Sequence, residues 1–360
     1  MSLVSFGSDN HSGVHPLVLE AITAANSGFI PAYGADPWTE MLRGTLKTEF
    51  GSHAVGFPVF NGTGANVVAL SSCLKRYEGV IVVEKAHVDV DEGGAPERIG
   101  GFKLLTVASK DQKLTPEKIR SKLSRRGDTH GVQPRAISIT QSTELGTVYS
   151  IAELRALGAC AKAEGLIFHM DGARIANAAA SLKCSLKECT TDVGVDVLSF
   201  GGTKNGLLGA EAVIGLSETY VAHYGEDLRY THKQSMQLAS KMRFLSAQLL
   251  SLFDGAAGQE LWRKNAEHAN AMTSLLLKEV SKVSGASVTI TQEVQANAIF
   301  ARVPRKIVSP LQAKFSFYTW DESEGEHGYV VVRWMTSWQT TEADVRAFAT
   351  ELGITLTSPK

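Results

Sequence analysis

The feature that most restricts this chain is an alternation. Between residues 57 and 216, apolar runs of strand length take turns with segments of helical periodicity. The runs fall at 57–60, 80–83, 103–107, 135–140, 167–170, 197–200 and 212–216. Helical stretches fall at 16–27, at 37–50 with Gly51 as stop, at 64–76, and at 151–164 with Gly165 as stop. A further helix is opened by Thr115 as cap and Pro116 at its first position. Strands joined through helices run parallel and are covered on both faces, so the pattern predicts an α/β fold with a mostly parallel sheet. Such sheets bind ligands beyond the carboxyl ends of their strands. Polar residues just after each run therefore carry the most functional weight.

After residue 217 the character changes. Residues 217–253 and 258–282 read as long helices. Strand-like runs follow at 287–291, 297–302, 315–318 and 329–335, and a closing helix starts near Thr341, whose spacing to Asp344 fits a capping box. The helical pattern breaks at Asp254-Gly255. This predicts a large domain over 1–254, N-terminal segment included, and a smaller α+β domain over 255–360.

Composition narrows the partners. With 44% hydrophobic and 20% charged residues, the chain can bury a large core, which rules out global disorder. Lys plus Arg is 36 against 37 for Asp plus Glu, so no basic excess points to nucleic acid. No apolar run is long enough for a bilayer, and no membrane partner is expected. The start MSLVSFGSDNHSG lacks a basic n-region and an apolar h-region, so no signal peptide is expected and the location expected is the cytoplasm. Cys73, Cys160, Cys184 and Cys189 form no C-x-x-C pair and are expected as reduced, mostly buried thiols.

G-x-S-x-G, H-E-x-x-H and the P-loop pattern are absent, and NGTGAN lacks the third glycine of a dinucleotide fingerprint. Two strand ends carry the chemistry instead. One is HMDGAR, which sets Asp171 just past an apolar run. The other is FGGTKNG, which sets Lys204 in a glycine-rich turn after the next run, 33 residues later. A shielded lysine loses part of its preference for the ammonium form and can act as an amine nucleophile. Together they meet two needs of pyridoxal 5'-phosphate: a lysine to bind its aldehyde and an acid to pair with its ring nitrogen. The third need, a phosphate cradle, is met by Gly62, Thr63 and Gly64 between a short strand and a helix. His87, Asp89, Asp91 and Glu92 alternate as on one strand face. With one histidine among acids this reads as a solvated face, and no metal is expected.

The stretches SDNHSGVHP (8–16), YGADPWT (33–39), FNGTGANVVAL (60–70), EKAHVDVDEGGAP (84–96), ITQSTELGTVY (139–149), HMDGARIANA (169–178), FGGTKNG (200–206) and SKMRFLSAQ (240–248) resemble the low-specificity L-threonine aldolase family. The resemblance covers most of residues 8–250 and returns at RWMTSW (333–338). The sequence departs from the family at Asn10, where many members have Thr, and around Lys233, where a glycine-rich spacing is not kept.

The resemblance implies a fold type I, aspartate aminotransferase-like architecture with pyridoxal 5'-phosphate as cofactor. It implies Lys204 as the Schiff-base lysine and Asp171 as partner of the ring nitrogen. Arg174 would contact the cofactor's phenolic oxygen or the substrate carboxylate. His87 would stack on the ring, and His130 would lie near the substrate hydroxyl. Ser8 and Arg333 would hold the substrate carboxylate. The implied reaction is retro-aldol cleavage of L-threonine, L-allo-threonine and other β-hydroxy-α-amino acids to glycine and an aldehyde. His87, His130 or a bound water would be the base. Its partner is a small amino acid, and the family assembles as homodimers or homotetramers. The alternatives are another fold type I activity (aminotransfer or β-elimination) and a non-catalytic protein of the same fold.

Overall fold

The computed structural model describes residues 4–255, 259–322 and 328–358. The chain opens with β1 (Val4–Ser5), α1 (Pro16–Ala25) and α2 (Pro37–Phe50). Pro16 and Pro37 start the two helices because a first-turn N–H has no helical partner to lose. Asp36 caps α2 by accepting from Thr39 N–H at 2.8 Å. Then come β2 (Val55–Val59), α3 (Gly62–Ser71), β3 (Glu78–Val83), α4 (His87–Val90), α5 (Ala95–Gly100), β4 (Lys103–Val107), α6 (Pro116–Ser121) and β5 (Gln133–Thr140). They are followed by α7 (Ile151–Ala163), β6 (Ile167–Gly172), α8 (Ile175–Leu182), β7 (Val197–Phe200) and β8 (Glu211–Gly215). Seven of these strands form one sheet in the order β2-β8-β7-β6-β5-β3-β4. All neighbours from β7 to β4 are parallel, and β8 alone runs antiparallel to both of its neighbours. Strands β6, β7 and β8 are buried at every residue, which is why they read as continuous apolar runs.

The second part contains α9 (Glu218–Gln234), α10 (Arg243–Phe253), α11 (Leu261–Ser284), β9 (Thr289–Ile290), β10 (Ala298–Pro304), α12 (Arg305–Gln312), β11 (Phe315–Ser316), β12 (Tyr318–Asp321), β13 (Tyr329–Met335) and α13 (Glu342–Thr357). A four-stranded antiparallel sheet, β12-β13-β10-β9, packs on α11 and α13. Thr341 and Asp344 form the expected capping box.

Four expectations change. The helix expected over 64–76 spans Gly62–Ser71. The helical reading of 217–253 breaks after Gln234. There His232 donates to the Pro58 carbonyl at 2.7 Å and Gln237 accepts from Phe60 N–H at 2.9 Å, which draws the chain onto the end of β2. The alternation from His87 to Glu92 is no strand face: pairing of β3 with β4 ends at Val83, and the chain turns into the short helix α4. Finally, β1 pairs with β11, and Phe6 packs on Phe348 with ring centroids 4.8 Å apart. Phe6, grouped by sequence with 1–254, thus sits in the apolar cluster formed by α11, α13 and the four-stranded sheet. All four cysteines are free, with Cys184 half-buried and the other three buried.

Candidate active site

The carboxyl edge of the large sheet gathers the expected groups. Asp171 lies opposite Thr140, the last residue of β5, on one side and Ser199 on the other, so it stands at most one residue from the ends of three adjacent strands. Beyond β7 the chain turns through Gly201 and Gly202 to Lys204. A Cβ on Gly201 would stand 2.4 Å from the Ala173 carbonyl oxygen, and one on Gly202 would stand 2.6 Å from that of Ala210. Only glycine lets this turn approach its neighbours and present Lys204. A cavity of about 390 Å³ opens there, lined by Lys204, Asp171, His87, Gly62, Thr63 and Glu211 among others. Larger cavities of about 640 and 1220 Å³ lie at the amino edge of the sheet and beside α1, α2 and α10, and neither contains Lys204 or Asp171.

The cradle is built at the start of α3. Asn61 caps this helix by accepting from Gly64 N–H at 2.7 Å, which leaves the N–H groups of Gly62 and Thr63 without helical carbonyls. Aligned peptide dipoles make that end attractive to an anion. From the 229–243 segment it is Gln237 that reaches the cradle: its side-chain amide would lie 2.5 Å from a Cβ on Gly64. Lys233 instead lies exposed, 5.0 Å over the Tyr33 ring.

Asp171 belongs to a buried polar chain. Asn66 Nδ2 donates to Asp171 Oδ2 at 2.9 Å and to Glu92 Oε1 at 2.7 Å. His87 Nδ1–H donates to the same Glu92 oxygen at 2.8 Å. The Glu92 hydrogen bond raises the His87 pKa, burial opposes this, and the Asp171 and Glu144 charges add to the rise. Donor atoms of His87, Glu92 and Asp171 lie within 4.8 Å of one another. The Asn66 amide, however, spends its N–H groups between the two carboxylates, where a cation would have to stand.

The arginines are placed by the N-terminal segment. Arg174 donates through Nε and NH2 to Asp9 at 2.7 and 2.8 Å, and Asn297 donates to Asp9 at 3.0 Å. Burial alone would raise the Asp9 carboxyl. The Arg174 charge and hydrogen bonds, aided by Lys204, hold it below the usual range. The Nε and NH2 side of the Arg174 guanidinium is thus engaged by Asp9. Arg333 donates to the Gly7 carbonyl at 2.9 Å and lies 4.9 Å from the Trp320 ring centroid. Its buried Nε has no hydrogen-bond partner among the described residues. Burial, then the Arg174 charge, lowers its pKa. Ser8, between Gly7 and Asp9, accepts from Asn10 N–H at 3.2 Å and caps a short turn. His130 is not in the site. It is exposed in the loop before β5, at the amino edge of the sheet, an eight-residue strand away from Thr140.

Known proteins resemble this chain over nearly its full length. The family model described as beta-eliminating lyase matches residues 5–304. A low specificity L-threonine aldolase of Pseudomonas sp. (strain NCIMB 10558) is 43% identical over 349 residues, 96% of each chain. Another, of Pseudomonas aeruginosa, is 41% identical, covering 98% of this chain and 97% of its own. The chain belongs to the low-specificity L-threonine aldolase family. A solved threonine aldolase of Leishmania major superposes with a TM-score of 0.90 at 27% identity, covering 98% of this chain and 100% of its own. An aspartate aminotransferase of Thermus thermophilus shares the fold alone, with a TM-score of 0.68 at 16% identity, covering 99% of this chain and 97% of its own.

The aldolase family is pyridoxal phosphate-dependent, and the residues present fit that group. The cavity offers a lysine amine, a buried carboxylate and a helix N-terminus. Sequence reading missed Asp9, Asn66 and Gln237 and gave Glu92 no role. Their partners lie 165, 105, 177 and 26 residues away along the chain.

Proposed function

We propose that this chain cleaves L-threonine, L-allo-threonine and related β-hydroxy-α-amino acids to glycine and an aldehyde, using pyridoxal 5'-phosphate. The observation that carries the reading is one cavity lined by both Lys204 and Asp171, with a partnerless Arg333 Nε on the adjoining small sheet. Lys204 would hold the cofactor aldehyde and Asp171 its ring nitrogen. The N–H groups of Gly62 and Thr63, with the Thr203 hydroxyl, would hold its phosphate. When bound, the cofactor supplies an electron sink for the pair released as Cα–Cβ breaks.

The chain's own residues do the rest. Arg333, a planar donor with an unused N–H, takes the substrate carboxylate and fixes which bond at Cα faces the sink. Ser8 lies next to the carbonyl that orients Arg333 and closes the carboxylate site. Arg174 acts one step back, by holding Asp9 and with it the N-terminal segment. In its neutral form His87 keeps its Nδ1–H on Glu92, so Nε2 carries the free lone pair. The β-hydroxyl proton passes to that nitrogen or to a water beside it. We also infer action in the cytoplasm as a homodimer or homotetramer; no described helix is long and apolar enough to cross a membrane. The test is to incubate the purified chain, with added cofactor, with L-threonine and L-allo-threonine. Glycine and acetaldehyde are expected. Keto acid or ammonia in their place would make it an aminotransferase or an eliminating lyase.

A further inference from the structure

Glu211 is a buried acid that the mechanism above does not use. It opens β8, and its partner across the sheet is Val59, two residues before the α3 cap Asn61. It lines the same cavity as Gly62 and Thr63 at the start of α3. It accepts a hydrogen bond from Gly202 N–H, in the turn that carries Lys204. It is 7% exposed, and the Thr203 hydroxyl of the same turn lies beside it. The surrounding strands VGFPV and VLSF and the loop FNGTG bring no charged side chain. Lys204 is the charged group acting on Glu211, and Asp171 and His87 are the other titratable groups lining the cavity. Burial pushes the Glu211 carboxyl up to about 7, against the pull of the Thr203 hydroxyl, the Gly202 and Thr203 N–H groups and the Lys204 charge.

A carboxylate at this place opposes a second anion at the start of α3, because two like charges in a partly buried cavity repel. The protonated acid carries no charge and offers an O–H donor, which an anion accepts. We propose that Glu211 couples anion binding to proton uptake: the uncharged acid admits a phosphate group at the α3 N-terminus, and its ionised form repels it. This rests on the reading that the cofactor phosphate binds there. It assigns the proton to a residue seven positions past Lys204 in the sequence.

The test uses sulfate, which stays fully ionised throughout, so its own charge does not change with pH. Sulfate is titrated calorimetrically into the full chain freed of cofactor, between pH 6 and 9, for wild type and Glu211→Gln. In the wild type, Kd should rise towards about tenfold per pH unit above neutrality; in Glu211→Gln it should change less than about twofold over the same range. Equal slopes in the two proteins overturn the proposal. Should Glu211→Gln not fold, difference infrared spectra of the wild type at pH 8 decide instead. Added sulfate should strengthen the C=O band of a protonated carboxyl, and an unchanged band overturns the proposal. Pyridoxal phosphate is titrated in parallel. If neither it nor sulfate binds the wild type at any pH, the cofactor reading itself fails; if both bind with equal slopes in the two proteins, only the role of Glu211 fails.

Discussion

At the scale of single residues, the site separates chemistry from recognition. Lys204→Ala removes the only amine lining the cavity but none of the hydrogen bonds that shape it. Glycine production should fall to near background, and the absorbance of lysine-bound cofactor should vanish, with the thermal melt unchanged. Arg333 contributes differently. A charge-assisted contact is worth about 1.5 to 3 kcal/mol, or roughly 10- to 150-fold in kcat/KM. Arg333→Ala should show that loss mainly as a higher KM. Arg333→Lys should recover only part of it, because an ammonium lacks the planar fork. Steady-state kinetics with L-threonine check both variants, and an unchanged KM in both would take Arg333 out of the site. His169, behind Asp171, bears on stability. It is fully buried between the Ser138 and Ser199 hydroxyls at 2.8 and 3.0 Å. Burial pushes its pKa down to about 4 from the model-compound 6.5. The unfolded chain therefore binds the proton first as pH falls. Stability from this group is intact above about pH 6.5 and is lost progressively towards pH 4, by about 2 kcal/mol at pH 5. Glu211, with its raised pKa, works in the opposite direction, so the comparison is urea unfolding at pH 7.5 and 5 for wild type against His169→Gln. The acid loss should shrink in the variant.

At the scale of elements, the parts that follow local rules are those that sequence reading places well. Pro16, Pro37 and Pro116 start helices, and Ser150 with Glu153 and Thr341 with Asp344 form capping boxes. Thr341→Ala removes the hydroxyl that accepts from Asp344 N–H at 3.1 Å. Urea unfolding should register a loss of about 1 kcal/mol without a change in KM. Elements set by distant partners depart from expectation. The break between α9 and α10 holds Met236 at φ +62°, a left-handed conformation that a methionine rarely takes. Nothing in the local sequence announces it. The neighbouring bonds from His232 and Gln237 to the end of β2 do. The short helix α4 is a similar case. Its polar alternation suits a strand, but the pairing of β3 with β4 ends at Val83.

At the scale of the whole molecule, the N-terminal segment is the joint. It pairs with β11, buries Phe6 among small-unit aromatics, binds Arg333 through Gly7 and Arg174 through Asp9, and reaches the Lys204 turn where His15 N–H donates to the Gly206 carbonyl at 2.9 Å. The apolar side chains of Leu17, Leu19 and Met41 are about half exposed on α1 and α2, at 49%, 50% and 53%. Light scattering on the purified chain should give at least twice the 38.7 kDa of one copy, since these side chains gain by being covered. What the sequence determined by itself was the strand-helix alternation and the sheet edge at which Asp171 and Lys204 stand. Those signals are local, because the period of apolar residues and the residue that follows a strand are both written within a few positions. Only the tertiary structure decided that Asp9 occupies Arg174, that Asn66 and Glu92 tie His87 to Asp171, and that Glu211 shares the cavity with Lys204. It also set His130 apart at the opposite edge. Each of these depends on which groups meet after burial, and burial brings together residues whose separation along the chain carries no trace of the contact.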